Sequence, residues 1–108
     1  MNFFKLFRGA DINEGLKKMQ NTSKSVLLDV RTREEYADAH IPGSLNIPLA
    51  ELQDAVNKIS DKSTPVFVHC LSGGRSRQAV RFLEDSGYTN VTDLGGIQHY
   101  NGQIEKGA

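Results

Sequence analysis

The chain contains one cysteine, Cys70, and its neighbours are of the kind that make a thiol react. A thiol attacks only as the thiolate, which is favoured at helix N-termini and beside cations. Cys70 opens the six-residue stretch Cys70-Leu71-Ser72-Gly73-Gly74-Arg75. Before it stands Val66-Phe67-Val68, an apolar run of β-branched and aromatic residues that predicts a buried strand. After it, Ser76 to Glu84 reads as a helix with Ala79, Val80 and Leu83 on one face. The thiol therefore falls where a strand ends and a helix is about to begin. Gly73 and Gly74 permit positive φ and close backbone approach, and Arg75 and Arg77 bring cations near. Such a loop can turn several N–H groups inward and form an anion nest at the positive end of a helix. It suits a sulfur nucleophile, an anionic substrate, or a negatively charged intermediate held on the sulfur. A lone cysteine is more often a small buried hydrophobe. That reading leaves the Gly-Gly pair, the arginine and the helix start unexplained.

The remaining elements must hold this loop still. Ile12, Leu16 and Met19 recur at helical spacing behind the capping-box pair Asp11 and Glu14, and predict a helix over about 12–19 weakened by Gly15. Ser25-Val-Leu-Leu-Asp-Val30 is too uniformly apolar for a one-sided strand and suggests a parallel strand covered on both faces. Thr32-Arg-Glu-Glu35 is a second capping box, opening a helix to about Ala39. His40-Ile-Pro-Gly43 is a turn, and Ser44-Leu-Asn-Ile47 a short strand stopped by Pro48. Leu49, Leu52, Val56 and Ile59 mark one face of the next helix, and Pro65 precedes the central strand. Asn90 to Leu94 is a last strand, Gly95-Gly96 a tight turn, and Ile97 to Tyr100 one turn of helix. Strands alternate with helices throughout, which predicts an α/β fold with a mainly parallel sheet and helices on both faces. Ligands of such sheets bind beyond the carboxyl ends of the strands, where Cys70 and Asp29 both fall.

At 108 residues the chain is one domain, large enough for an apolar core without disulfides or metal. Its formal net charge of zero disfavours a nucleic-acid binder, and no apolar run approaches a membrane span. Met1 to Arg8 carries three of the five Phe residues but is not a convincing signal peptide, because Lys5 and Arg8 interrupt it. It reads as a packing arm or loose terminus, with a short amphipathic foot on a membrane or partner as the sharper alternative. The expected location is the cytoplasm, where a lone thiol stays reduced. No cluster has metal-ligand spacing, and no cofactor is expected. Asp29 and Arg31 are expected to pair as structural support or simply to end a strand. His40 is expected to fix a turn. His69 is a poor general base, because strand neighbours point to opposite faces; His99 has no motif around it.

These pieces together resemble the single-domain rhodanese family of sulfurtransferases. The matching segments are Leu28-Asp29-Val30-Arg31, Glu34-Glu35-Tyr36, His40-Ile41-Pro42-Gly43-Ser44, Asn46-Ile47-Pro48, the loop Cys70 to Ser76, Gly87-Tyr88 and Leu94-Gly95-Gly96. Tyr100 departs from the pattern, since many relatives carry Trp there. The resemblance implies a three-layer sandwich around a mainly parallel five-stranded sheet, with a core over about 11–102, an arm at 1–9 and a tail at 103–108. It also implies persulfide chemistry. Cys70 would attack the outer sulfur of a donor such as thiosulfate, and cyanide or a thiol, including a protein thiol, would take the sulfur away. The backbone of Leu71, Ser72, Gly73, Gly74, Arg75 and Ser76 would cradle the persulfide, and Arg75 would add charge for an anionic donor.

Two other functions compete. Phosphatases and arsenate reductases of related fold use a cysteine, five residues and an arginine. Here four residues separate Cys70 from Arg75, and Ser76 stands at the sixth position. The shorter loop is a poor cradle for the extra oxygens of phosphate. A non-catalytic rhodanese-like binding module is the other alternative, and the intact Cys70 loop argues against it.

Overall fold

A computed structural model describes residues 12–108. The Phe-rich Met1 to Arg8 stretch and the cap residue Asp11 lie outside the described residues. The sheet is built on Val66–Cys70 (β3), whose five residues are all buried, as its apolar run predicts. β3 pairs in parallel with Val26–Asp29 (β1) on one side and Val91–Gly96 (β4) on the other. Leu45–Asn46 (β2) pairs with β1, giving the order β2-β1-β3-β4, all parallel. Four strands are present among the described residues, against the five that the resemblance implies. After Tyr100 the chain adds only an isolated antiparallel bridge, His40 to Glu105.

Period-two alternation sends the two halves of each central strand to different cores. Leu28, Val30, Val66, Val68 and Cys70 join Leu52, Ala55, Ile59, Ala79, Leu83 and Tyr88. That face is covered by Ala55–Lys58 (α3) and Gly74–Asp85 (α4). Leu27 and Phe67 face the other way, joining Ile12 and Leu16 of Ile12–Gln20 (α1) with Ile41 and Leu94. The result is the helix, sheet, helix layering of an α/β sandwich. Arg33–Asp38 (α2) follows β1 behind a complete capping box. Thr32 Oγ1 accepts from the Glu35 N–H, and the Glu35 carboxylate accepts from the Thr32 N–H.

Three local readings change. The segment after Pro48 is a 3₁₀ helix, Leu49–Asp54, kinked at Glu51, before α3. The kink breaks the 3.6-residue register, so Ala55 is buried and Val56 is 41% exposed. α4 starts at Gly74, two residues earlier than the apolar pattern suggests. Gly95 and Gly96 are not a turn but the end of β4, where a bulge lets Val68 face Asp93 and His69 face Gly95. Ile97–His99 is the expected single turn, of 3₁₀ type. No helix among the described residues is long and apolar enough to cross a membrane.

Candidate active site

Cys70 is the last residue of β3, and after three intervening residues the chain enters α4. That reversal depends on Gly73, the N-cap, which adopts φ 112°. A side chain there would be strained. Its N–H donates to Cys70 Sγ at 3.0 Å. The first N–H groups of α4, from Gly74, Arg75 and Ser76, have no carbonyl one turn earlier to bond. The sulfur therefore lies against one N–H and beside a helix N-terminus. Cys70 is 1% exposed, whereas Leu71, Ser72 and Gly74 are exposed at the rim. The thiol sits on the floor of the loop.

The loop is anchored on three sides. Gly96 of β4 lies so close beneath it that a Cβ there would collide with the Leu71 carbonyl and sit 2.8 Å from Ser72 Cα. The Leu71 carbonyl accepts from the Gln98 N–H at 3.3 Å. Ser76 is fully buried, and its hydroxyl lies 3.1 Å from the Gly73 carbonyl and 2.8 Å from Asp93 Oδ1. Asp93 Oδ1 also accepts from the Gly95 N–H at 2.9 Å, so one carboxylate ties the start of α4 to the β4 bulge.

The third anchor is Arg75 itself. Its guanidinium does not stand free for a donor. It forks onto Glu35 of α2, with Nη1 to Oε1 at 2.7 Å and Nη2 to Oε2 at 2.9 Å. Arg75 in turn holds the Glu35 carboxyl at about 2, far below its ordinary 4.5. The bond to Glu35 likewise pushes the Arg75 guanidinium further up.

Asp29 and Arg31 do form an ion pair. Arg31 Nη2 donates to Asp29 Oδ2 at 2.7 Å and Arg31 Nε to Oδ1 at 3.0 Å. Nη2 also reaches the Ala39 carbonyl at 2.8 Å. Asn46 Nδ2 donates to the Asp29 and Arg31 carbonyls at 2.9 and 3.0 Å. This network lies at the carboxyl end of β1, next to His69, and has no bond to the cysteine. His69 points to the α1 face, opposite Cys70, as strand alternation predicts. Its Nδ1 is 3.3 Å from the Cys70 carbonyl, while its fully buried Nε2 has no hydrogen-bond partner among the described residues and stands 3.6 Å from Asp29 Oδ2. Burial lowers its pKa, outweighing Asp29, whose oxygens already serve Arg31. Burial thus favours the neutral imidazole at His69. His40 fixes its turn by Nδ1 on the Tyr36 carbonyl at 2.8 Å and by stacking on the Tyr36 ring at 3.8 Å. No group of three or more potential metal ligands occurs among the described residues.

Glu35 and Asp93 are the two site residues that sequence reasoning missed. Glu35 is visible as a cap, but nothing local marks it as an anchor for a loop forty residues away. Asp93 has no sequence signal beyond standing at the end of a predicted strand.

The chain is 39% identical to the thiosulfate sulfurtransferase PspE of Escherichia coli over 72 residues, 66% of this chain and 69% of that protein. It is 39% identical over 80 residues to the adenylyltransferase and sulfurtransferase uba4 of Ogataea parapolymorpha; the match covers 73% of this chain but only 21% of that longer protein. A solved structure of a rhodanese with anions from Escherichia coli superimposes with a TM-score of 0.71 at 36% identity, covering 77% of this chain and 99% of that one. With residues 13–103 matching the family model for the Rhodanese-like domain, the chain belongs to the rhodanese-like family.

Proposed function

We propose that the protein is a sulfurtransferase that carries sulfane sulfur on Cys70. The observation that carries this reading is the Gly73 N–H on Cys70 Sγ, at 3.0 Å, in a loop that ends on the N-terminus of a twelve-residue helix. An N–H aimed at sulfur stabilises a thiolate, and the helix end favours any anion built upon it. The sulfurtransferase names of the relatives support the same reading.

The reaction has two halves. The Cys70 thiolate attacks the outer sulfur of thiosulfate, the S–S bond of the donor breaks, and sulfite leaves with the bonding pair. Cys70 is left as Cys–S–S⁻, its terminal sulfur among the N–H groups of residues 71–76. Cyanide or a thiolate, on a small molecule or a protein, then attacks that terminal sulfur and releases the Cys70 thiolate. No second cysteine is needed, because the acceptor is external. Asp29 and Arg31 hold the neighbouring strand end and take no part in bond making.

The phosphatase alternative loses a requirement of its chemistry. The position six residues after the cysteine is Ser76, buried and bonded to Asp93, and Arg75 is committed to Glu35. Neither offers a guanidinium to phosphoryl oxygens.

Steady-state assay with thiosulfate and cyanide tests the proposal. Thiocyanate forms with parallel double-reciprocal plots, the mark of a covalent carrier, and Cys70→Ser abolishes it. Hydrolysis of an aryl phosphate without thiocyanate formation overturns the reading in favour of phosphatase chemistry. Absence of both reactions leaves a binding module.

A further inference from the structure

The loop that would hold a persulfide lies beside an arginine whose charge is already spent. Glu35 accepts from four donors: Thr32 N–H at 2.9 Å, Thr32 Oγ1 at 3.1 Å, and the two arms of Arg75. Both partners are about one-third exposed, so the pair stands near the surface and not in the core. A carboxylate fixed by the cap of α2 is a rigid receptor for the guanidinium, and a bidentate pair of this kind keeps its geometry. With Arg75 paired, the partial charge of the α4 N-terminus, equivalent to about half an elementary charge, and the inward N–H groups take a larger share in attracting an anion at Cys70.

We propose that Glu35 is the specificity-determining residue for the sulfur donor: by neutralising Arg75 it makes the site favour a monoanionic persulfide, R–S–S⁻, over dianionic thiosulfate. This rests on the sulfurtransferase reading above. In the favoured reaction the Cys70 thiolate attacks the terminal sulfur of R–S–S⁻, the donor S–S bond breaks, and R–S⁻ leaves and takes a proton from water. The product is the same Cys–S–S⁻, and no electrons are gained or lost overall. Thiosulfate reacts by the same step, but its sulfonate brings a second charge, and the Arg75 guanidinium beside it is already bound to Glu35.

The test is a charge cycle read as a selectivity ratio, kcat/KM for thiosulfate divided by kcat/KM for 2-hydroxyethyl persulfide, with cyanide as acceptor in both. The local charge of the pair is zero in wild type, +1 in Glu35→Gln, −1 in Arg75→Ala and zero in the double variant. Gln at this position still serves a capping box, so α2 keeps its start. The ratio rises about tenfold in Glu35→Gln and falls about tenfold in Arg75→Ala. It returns to within about threefold of wild type in the double variant, and added salt compresses the spread. Because any loss of loop geometry slows both donors, the ratio isolates charge. An unchanged ratio in Glu35→Gln overturns the proposal. So does an equal fall in Arg75→Ala and the double variant, which would mean that Arg75 binds the donor directly. Failure of the wild type to turn over either donor is a different result, and overturns the sulfurtransferase reading itself.

Discussion

Two arginine–carboxylate pairs brace the carboxyl end of the sheet, and they are built alike but placed differently. Arg31–Asp29 is buried, with side chains 6% and 0% exposed, whereas Arg75–Glu35 is 32% and 30% exposed. The first pair is local, two residues apart, and holds β1 to the Ala39 carbonyl and the Asn46 amide. The second joins α2 to α4 across forty residues and touches the loop of Cys70 through its own backbone. A buried pair is costly to make and far costlier to break, because a lone buried charge has no water. A half-exposed pair contributes little to stability but still decides which charge the loop mouth presents. Burial therefore separates a structural role from an electrostatic one.

The largest expected effect lies on the buried pair. Asp29→Ala strands the Arg31 guanidinium and costs about 3–5 kcal/mol in denaturant unfolding. A loss comparable to that of a surface pair would erase the contrast. Next is the floor of the loop. Gly96→Ala drives a Cβ into the Leu71 carbonyl, a backbone atom that cannot swing away, and costs about 1–3 kcal/mol with a matching fall in sulfur transfer. Full activity in that variant would show that β4 does not set loop position. Smaller again, Arg75→Ala costs about 1 kcal/mol of stability, a value set by solvent screening.

Acid separates the two regions in a further way. Burial puts the His69 pKa below its ordinary 6.5, so the unfolded chain takes that proton first and stability falls as the pH drops below 6.5. Glu35 sits at about 2 against 4.5 when unpaired, so its contribution is complete above 4.5 and is lost as the pH falls from 4.5 towards 2. Urea midpoints followed against pH check this. His69→Gln flattens the segment that begins at 6.5, and Glu35→Gln flattens only the lower one. Flattening of the upper segment by Glu35→Gln would contradict the assignment.

Much of the site is legible in the sequence because its signals are short-range. Thr32 and Glu35 announce a cap at a spacing of three. Val66 to Val68 announces a buried strand, and the opposition of His69 and Cys70 follows from strand geometry. What is not legible depends on distance or on ambiguous chemistry. Gly95-Gly96 reads as a turn, yet the same freedom serves a bulge and a close approach to Leu71. The 3₁₀ kink at Glu51 exchanges Ala55 for Val56 in the core, since an apolar stripe assumes an unbroken helix. Arg75 looks like a free cation until the fold brings Glu35 beside it. Asp93 meets Ser76 across seventeen residues, a pairing no local pattern encodes.

The central claim is that Cys70 carries sulfur as a persulfide. Intact mass after incubation with thiosulfate tests it most directly. One added sulfur atom, localised to Cys70, lost on cyanide treatment and absent in Cys70→Ser, is the predicted result. An unchanged mass in a folded protein, or an added sulfur that survives Cys70→Ser, would contradict the account.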